Sequence, residues 1–289
     1  MDFPDDPAFV SVLREFGITA DALLGHGGEA WVFDLGDGRA MRILHPGGRA
    51  EDLTRRQHLV DELRRSHPPF ALPEVLEIGD VSGRVFALER RLPGHSVLDA
   101  LGFCTGIQRR RLVERYLDTA AMLGDLHLDA RDGYGDLVGD DVITAATWHD
   151  YLVDRAATNL ARSTRDFSTI DAHGLTDDLP EARGPAFVHL DAFGGNMLTD
   201  GSEITAVIDF GSTSVVGDRR FNPLAAAIYL ASEEITPTAT PADVDVAMSW
   251  LRAADLHELF EPTRRWLAAY WSFAVDDPKV LHWCRAVLL

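Results

Sequence analysis

Apolar and polar positions in the first ninety-two residues predict one short helix followed by strands. Residues 6–16 carry apolar side chains at helical spacing, and Gly17 ends the pattern. Four short apolar runs bounded by glycine and aspartate are typical of β-strands; they cover residues 31–33, 40–44, 75–78 and 84–88. Between the second and third of these runs, residues 51–66 predict a helix that ends before His67-Pro68-Pro69.

From Leu92-Pro93-Gly94 onward the pattern predicts mainly helices. Apolar stripes at helical spacing, several opened by proline or a polar cap, occupy residues 107–127, 147–162, 223–233, 241–256 and 262–273. Residues 186–211 interrupt this pattern with β-like runs and glycine-rich turns. We therefore expect an α+β fold with two domains, a strand-rich one of residues 1–92 and a larger helical one of residues 93–289.

The charge balance narrows the possible partners. The chain has 46 acidic and 27 basic residues, a net charge of −19. A field of this sign repels phosphate backbones, which argues against nucleic acid and anionic membranes, and it would attract a cationic small molecule. No apolar run approaches the roughly 20 residues that a bilayer requires, and the acidic start lacks the features of a secretory signal. We expect a soluble, cytoplasmic chain, either monomeric or homodimeric.

Cysteine and lysine usage excludes several chemistries. Cys104 and Cys284 provide neither a disulfide framework nor zinc-ligand spacing. The only lysine is Lys279, close to the C-terminus. This excludes a Walker A loop, whose lysine follows a glycine-rich turn, and the Ser-x-x-Lys nucleophile pattern. Arginine is therefore expected wherever the chain needs a cation.

One segment combines side chains and spacing that suit phosphoryl transfer from ATP. It reads Phe187-Val188-His189-Leu190-Asp191-Ala192-Phe193-Gly194-Gly195-Asn196, and Asp209-Phe210-Gly211 follows it. The reaction needs a carboxylate that orients the accepting hydroxyl, and oxygen ligands that hold Mg²⁺ against the phosphates. Asp191 and Asn196 can lie at opposite ends of one loop, and a hairpin can return Asp209 to the same edge. One asparagine and one aspartate suffice for Mg²⁺, which keeps few protein ligands.

With this motif the sequence resembles the aminoglycoside phosphotransferase family, the small-molecule relatives of protein kinases. The resemblance implies a bilobal protein-kinase-like fold, with a small N-terminal antiparallel β-sheet lobe and a larger helical C-terminal lobe. It also implies that Asp191 is the catalytic base or hydroxyl-orienting residue and that Asn196 and Asp209 ligate Mg²⁺. Residues 216–225 extend the similarity downstream, and residues 71–76 and 92–94 extend it upstream.

The tetrapeptide His-Leu-Asp-Ala occurs twice and provides an internal control. In the copy at residues 127–130, the fifth residue after Asp129 is Tyr134, whereas Asn196 holds that position after Asp191. The first copy therefore lacks metal-ligand spacing. We expect it to be structural and to close an amphipathic helix.

The resemblance also implies nucleotide-binding residues in the first domain. Gly27 and Gly28 occupy the position of the loop that covers the phosphates, where glycine lets main-chain N–H groups approach. Arg42 stands where the family has a lysine that contacts the α- and β-phosphates, and arginine keeps the charge with a different reach. Adenine is expected against the segment that includes Arg90 and Leu92.

Other positions also depart from the family. Leu190 replaces the usual glycine of the catalytic loop, and Asn222 stands where the family more often has aspartate. The carboxylate partner of Arg42 is left open. Gln57 is closest to the expected glutamate, and other carboxylates on the same predicted helix include Glu51, Asp61 and Glu62.

Together these features predict an ATP- or GTP- and Mg²⁺-dependent O-phosphotransferase that modifies a small molecule, most readily an aminoglycoside-like or other antibiotic. Carboxylates of the helical domain could collect ammonium groups of the acceptor; they are Glu233, Glu234, Glu258, Glu261, Asp276 and Asp277. Two alternatives stay open, a kinase of a small metabolite (sugar, amino alcohol or macrolide) and a nucleotide-binding protein with little turnover. Transfer to a protein hydroxyl is disfavoured because no Ala-Pro-Glu segment follows Asp209.

Overall fold

The computed structural model describes residues 6–289, and the chain divides into two compact units. The first unit comprises the residues up to 61 together with residues 71–92. The second comprises residues 62–70 and 93–289. The two units differ in architecture, since the first is built on one sheet and the second mainly on helices.

A five-stranded antiparallel sheet forms the first unit, in the order β1-β2-β3-β5-β4. Its elements are α1 (Pro7–Glu15), β1 (Leu23–His26), β2 (Ala30–Asp34), β3 (Arg39–Leu44), α2 (Ala50–Arg64), β4 (Val75–Val81) and β5 (Arg84–Arg90). Helix α1 begins where the Asp6 carboxylate accepts the N–H of Ala8 at 2.9 Å, which is an N-cap.

Alternation along the strands divides the apolar side chains of this sheet between two cores. One face carries Phe33, Met41 and Phe86, which pack with Phe9 of α1. The other face carries Ala30, Leu44 and Ala87, which pack with Leu53 of α2. Because side chains alternate with a period of two, Arg42 of β3 and Glu89 of β5 share the second face.

Seven helices and two small antiparallel sheets form the second unit within the described residues. The helices are α3 (Val97–Phe103), α4 (Gly106–Leu123), α5 (Trp148–Arg162), α6 (Phe221–Leu230), α7 (Pro241–Ala253), α8 (Phe260–Trp271) and α9 (Pro278–Leu288). One sheet has the order β11-β10-β6 and the other β8-β7-β12-β9. Their strands are β6 (His95–Ser96), β7 (Tyr134–Asp136), β8 (Thr144–Ala145), β9 (Ala186–His189), β10 (Met197–Thr199), β11 (Ile204–Val207) and β12 (Ser214–Gly217).

Helix α6 lies at the centre of the second unit, and every one of its residues is buried. It packs against α4, α7 and α8. A helix that is apolar on all sides must be surrounded by protein, so α6 is the framework on which the neighbouring elements are placed. Two of its residues, Asn222 and Tyr229, carry polar groups into this interior.

The α+β fold class, with a small antiparallel sheet lobe and a larger helical lobe, is confirmed. The five predicted helices of the second half are also present, with shifts of a few residues at their ends. Two helices were not predicted. Helix α3 is only seven residues long, and α9 begins with an Asp277 cap followed by Pro278, a start signal that the sequence does contain. No helix among residues 6–289 has the length and apolar character needed to cross a bilayer.

A buried ion pair links α4 to the start of α7. Asp243 accepts the Nε and Nη2 groups of Arg109 at 2.8 and 2.6 Å and also caps α7 through the N–H and hydroxyl of Thr240. The Arg109 guanidinium also donates to the carbonyls of Leu101 and Thr238. Burial opposes ionisation of Asp243, but the bonds from Arg109 and Thr240 outweigh it and lower the pKa of Asp243 below 3.8.

We expect Asp243→Asn to destabilise the protein by about 3 kcal/mol at pH 7, because it leaves the Arg109 charge without its partner. Since the folded-state pKa of Asp243 lies below the unfolded value, its stabilisation is complete at neutral pH and is lost as the pH falls through the folded-state pKa. Denaturant unfolding of wild type and variant should therefore give free energies that begin to converge below about pH 5 and continue to converge as the pH falls through the folded-state pKa. A difference that stays constant over this range would contradict the assignment.

Candidate active site

The predicted catalytic loop joins two strands of the second unit. Strand β9 ends at His189, Asp191 follows, and a single 3₁₀ turn, Gly194–Asn196, leads directly into β10. Strands β10 and β11 pair as an antiparallel hairpin, so the chain returns to the start of this loop at Asp209. The loop and the hairpin thus bring Asp191, Asn196 and Asp209 to one edge of the hairpin.

Asp191, Asn196 and Asp209 lie together at this edge. The Nδ2 group of Asn196 donates to Oδ2 of Asp191 at 2.8 Å and to its main-chain carbonyl at 3.0 Å. The main-chain carbonyl of Asn196 accepts the N–H of Ile208 at 2.9 Å, which fixes the position of the adjoining Asp209. Because the Asn196 amide nitrogen is turned toward Asp191, its Oδ1 remains available to a ligand.

The two carboxylates at this edge interact unfavourably. Burial raises the pKa of Asp191 well above 3.8, and the negative charge of Asp209 raises it further, while the bond from Asn196 opposes the shift. Within the described residues, no arginine or lysine forms an ion pair with either carboxylate. The site therefore has an excess of negative charge in the protein alone.

Asp209 adopts an uncommon backbone conformation. Its φ is +68°, in the left-handed region that aspartate tolerates better than most non-glycine residues. The turn is closed by the Gly211 N–H, which donates to the Asp209 carbonyl at 2.9 Å. The next side chain, Phe210, is buried against the rings of Phe187 and His189. A costly conformation held in place by its surroundings is a frequent property of functional sites.

His189 supports the loop as a neutral side chain. Its Nε2 lies 3.2 Å from the Ile208 carbonyl, which can only accept, so this nitrogen carries the proton. The bare Nδ1 then accepts the N–H of Asp191 at 3.2 Å. Burial lowers the pKa of His189, although the Asp209 charge opposes the shift. The imidazole thus joins the start of the loop to the end of the hairpin.

Asn222, the departure from the family's aspartate, makes two main-chain bonds to strand β9. Its Oδ1 accepts the N–H of His189 at 2.8 Å, and its Nδ2 donates to the Phe187 carbonyl at 2.8 Å. An amide can accept and donate in this way at neutral pH, whereas the ionised carboxylate of aspartate has no proton to give. The side chain is fully buried, so both main-chain groups depend on it.

The first His-Leu-Asp-Ala copy lies in a different setting. Helix α4 ends at Leu123, so the copy at residues 127–130 does not close this helix, contrary to expectation. Asp129 is exposed and forms an ion pair with Arg65 at 2.7 Å, and its main-chain N–H donates to the Glu62 carboxylate. The two copies therefore share letters but not surroundings.

In the first unit, Glu89 is a carboxylate that pairs with Arg42. Nε of Arg42 lies 2.6 Å from Oε1 of Glu89, and both side chains are mostly buried. Gln57, the nearest match to the expected helix partner, instead accepts the N–H of Val75 at 2.8 Å and donates to Asp61. The pair comes from adjacent strands because Ala87 lies opposite Arg42, which leaves Glu89 as the diagonal neighbour.

The glycines predicted to cover a nucleotide have open space around them. A Cβ atom added to Gly27 or Gly28 would meet no atom within 4 Å, and neither residue has a positive φ. Packing and backbone conformation in the described chain therefore do not require glycine here. The adjacent Glu29 forms an ion pair with Arg56 of α2 at 2.6 Å, which ties this turn to the helix.

The two predicted adenine contacts lie at the end of β5. The N–H of Arg90 donates to the Glu74 carbonyl at 2.9 Å, and its side chain pairs with the Glu74 carboxylate at 2.5 Å. The carbonyl of Leu92 accepts the Arg91 guanidinium. Their assignment to adenine continues to rest on their position in the chain.

Several of the acidic side chains predicted to attract a cation have partners of their own. Glu261 pairs with Arg264 at 2.7 Å, and Glu234 accepts the hydroxyl of Ser232 at 3.0 Å. Asp277 accepts two main-chain N–H groups as the cap of α9. These local roles account for three of the six carboxylates without a ligand.

A sequence model of the phosphotransferase enzyme family (APH) matches residues 23–222, which is more than two thirds of the chain. The chain therefore belongs to this family and is a phosphotransferase. No curated protein matches the sequence.

Solved structures with a similar fold include three antibiotic complexes. The gentamicin complex of APH(2″)-IIa has a TM-score of 0.65 and 14% identity, over 99% of this chain and 97% of the other. The streptomycin–ATP complex of APH(2″)-IIa has a TM-score of 0.61 and 13% identity, over 99% and 96%. The GDP and kanamycin complex of APH(2″)-IIia has a TM-score of 0.61 and 14% identity, over 96% of each chain. At this identity the likeness establishes a common fold.

We expect Asn222→Asp to destabilise the protein by about 2 kcal/mol at pH 8, because the ionised carboxylate leaves the Phe187 carbonyl without a donor. Burial would raise the pKa of the new carboxyl group, and its protonated form can donate. The loss measured by denaturant unfolding should therefore be smaller at pH 5 than at pH 8. An equal loss at both pH values would show that the donated bond does not matter.

Proposed function

We propose that this protein transfers the terminal phosphoryl group of ATP or GTP to a hydroxyl of a small molecule, with Mg²⁺ as cofactor. The observation that supports the proposal best is the convergence of Asp191, Asn196 and Asp209 at one edge. Phosphoryl transfer depends mainly on positioning and electrostatics, so a few fixed oxygen ligands suffice. An antibiotic of the aminoglycoside type is the acceptor we favour, because the structural relatives were solved with gentamicin, streptomycin and kanamycin.

The residues of the site fit a divalent cation. Two carboxylates and an amide oxygen are hard oxygen ligands, and Mg²⁺ combines few such ligands with phosphate and water. The Asp209 charge contributes to the raised pKa of Asp191, and in the part of the chain described no arginine or lysine forms an ion pair with either carboxylate, so a bound cation would favour the ionised form of both. Asn196 and Asp209 would hold Mg²⁺, which when bound supplies neutralisation of the phosphate charge.

Asp191 is the residue we assign to the acceptor hydroxyl. Its backbone is held on both sides, and Asn196 fixes one carboxylate oxygen, so the other oxygen can accept the hydroxyl proton. A pKa raised by burial and by Asp209 makes this carboxylate a better base than an exposed aspartate. Asp191 would thus orient the hydroxyl and receive its proton.

On the nucleotide side, we assign Arg42 to the phosphates and Gly27 and Gly28 to the turn that covers them. Glu89 holds the Arg42 guanidinium by two bonds, at 2.6 and 3.4 Å, and so fixes its direction. The Gly27 N–H donates to the Ala30 carbonyl at 3.0 Å and closes the turn, and the open space at Gly28 gives its main-chain N–H room to approach phosphate oxygens. Arg90 and Leu92 remain the proposed adenine contacts.

Arg42 and Gln57, which stand where the family has a lysine and a glutamate, are the residues that favour the alternative of a nucleotide-binding protein with little turnover. Since Arg42 has a carboxylate partner in Glu89, the lack of a glutamate at position 57 does not leave the cation unoriented. No comparable observation favours a metabolite over an antibiotic as acceptor, and the two acceptor classes are separated by the experiment that follows.

The decisive experiment incubates purified protein with γ-labelled ATP or GTP and Mg²⁺ and screens acceptors by mass spectrometry. The panel contains aminoglycosides, macrolides, sugars and amino alcohols. A mass increase of one phosphoryl group on one class identifies the acceptor class. The proposal fails if nucleotide is bound but no phosphate reaches any acceptor or water.

We expect Asp191→Asn to lower kcat by roughly three orders of magnitude or more while the nucleotide dissociation constant changes little. The reason is that the amide keeps the shape of the side chain but cannot take a proton. The measurement is steady-state kinetics together with nucleotide titration.

Asp129→Asn is the matched control, because it makes the same change in the other His-Leu-Asp-Ala copy. It should leave kcat unaltered, since Asp129 is an exposed partner of Arg65. Equal losses in the two variants would disprove the assignment of Asp191.

Glu89→Gln should weaken nucleotide binding about tenfold, the typical effect of one hydrogen bond to a charged group. The substitution removes the charge that holds the Arg42 guanidinium in place. Calorimetric titration with the nucleotide gives the dissociation constant without reference to turnover. Asp37→Asn, which removes the exposed partner of Arg39 near the start of β3, is the control and should have no effect. An unchanged nucleotide dissociation constant in Glu89→Gln would show that the orientation of Arg42 by Glu89 does not contribute to nucleotide binding.

A further inference from the structure

The loop that carries Asp191 has every main-chain polar group paired from residue 190 to residue 192. The N–H groups of Leu190, Asp191 and Ala192 donate to the Thr213 carbonyl, to Nδ1 of His189 and to the His189 carbonyl. The Asp191 carbonyl accepts the Asn196 amide at 3.0 Å. This leaves the carbonyls of Leu190 and Ala192, which flank Asp191 and are fully buried.

Two tyrosine hydroxyls from different helices satisfy these two carbonyls. Tyr229 of α6 donates to the Leu190 carbonyl at 2.5 Å. Tyr116 of α4 lies 2.8 Å from the Ala192 carbonyl and 3.1 Å from that of Ala226, so one hydroxyl joins the loop to α6. Both rings are almost completely buried, and no water is needed to complete the set.

The direction of each bond at Tyr229 is fixed by chemistry. The indole Nε1 of Trp271 lies 2.7 Å from the Tyr229 hydroxyl and can only donate. The hydroxyl therefore accepts from Trp271 and must give its own proton to Leu190, whose carbonyl can only accept. Successive bonds that point the same way polarise one another and strengthen the last one. Trp271, at the end of α8, thereby acts on the peptide next to Asp191.

The Asp191 carboxylate lies close enough to the Tyr116 and Tyr229 hydroxyls to affect the pKa of both. Burial raises the pKa of Tyr116 and of Tyr229, and the nearby Asp191 carboxylate raises both further. Both phenols therefore remain protonated donors at neutral pH. Their bonds to the loop are retained when Asp191 is ionised.

We propose that Tyr116, Tyr229 and Trp271 are positioning residues for phosphoryl transfer, which hold the two peptide groups that set the direction of the Asp191 side chain. The inference rests on the proposed function of Asp191, but the tethering itself is a property of the folded chain. Loss of one hydroxyl leaves a buried carbonyl without a donor, and the loop can satisfy it only by moving. A shift of about 1 Å in a reacting group can reduce the rate by about a hundredfold.

The test compares Tyr229→Phe and Tyr116→Phe with Tyr151→Phe. Tyr151 is an equally buried tyrosine whose hydroxyl donates to Asp136 at 2.8 Å, away from the loop. Trp271→Phe is compared in the same way with Trp266→Phe, since the Trp266 indole donates to the Leu152 carbonyl at 2.9 Å. Each pair removes the same group; Trp266 is fully buried and Trp271 only partly buried, so Trp266→Phe sets an upper limit on a general packing effect.

Two measurements are made on every variant at a temperature where all are folded. The first is amide hydrogen exchange of residues 189–193 without nucleotide. It should accelerate about tenfold in Tyr229→Phe and Tyr116→Phe and stay unchanged in Tyr151→Phe. The second is steady-state kinetics. Here kcat should fall roughly 10- to 100-fold in the two loop variants, with the nucleotide KM within about twofold of wild type.

The outcomes separate this proposal from the proposed function. If wild-type protein transfers no phosphate, the proposed function fails, and the exchange measurement still decides whether the tyrosines hold the loop. Exchange in the loop variants equal to that in Tyr151→Phe overturns the tethering. Faster exchange with kcat equal to that of Tyr151→Phe overturns the positioning role. Trp271→Phe should give a smaller kcat loss than Tyr229→Phe, and an effect no greater than that of Trp266→Phe removes Trp271 from the set.

Discussion

Repulsion between the Asp191 and Asp209 carboxylates is the constraint that the hydrogen bonds around the Asp191 loop have to balance. Two partly buried like charges separate unless the backbone holds them. The holding forces are ordinary main-chain hydrogen bonds, made to a neutral imidazole, an amide and two phenols. Most of these partners come from β9, from the β10–β11 hairpin or from the fully buried helix α6. The apolar core of this unit thus stabilises a site that is electrostatically unfavourable in itself.

Helix α6 shows how such a core can carry polar groups. Asn222 lies at its start and Tyr229 near its end, and each bonds to the strand or loop that leads to Asp191. Both side chains are buried, so a hydrogen-bonding group left unpaired there would cost more free energy than the paired bond contributes to stability. The polar contacts therefore specify one position of the loop on the helix. This selectivity is a property that apolar packing alone does not provide.

The sequence predicted the convergence of Asp191, Asn196 and Asp209 better than it predicted the side chains that support them. Asp191, Asn196 and Asp209 belong to one short motif whose spacing already indicates a loop and a hairpin. Glu89 could not be assigned to Arg42, because their proximity depends on strand register across 47 positions of sequence. Tyr116, Tyr229 and Trp271 carried no signal, since buried aromatic residues at helical spacing are usually core. Hydroxyl and indole partners become recognisable only when the helices are placed in space.

The Arg42–Glu89 pair has a consequence for how the chain tolerates change. The two side chains meet through the pairing of β3 with β5, and α2 contributes neither of them. Insertions or deletions in the connection that contains α2 can therefore leave the guanidinium where it is. A bulge or one-residue slip in either strand would turn one partner to the opposite face of the sheet and part them. A change of length would thus preserve the Arg42–Glu89 pair when it falls in the α2 connection and break the pair when it falls in β3 or β5.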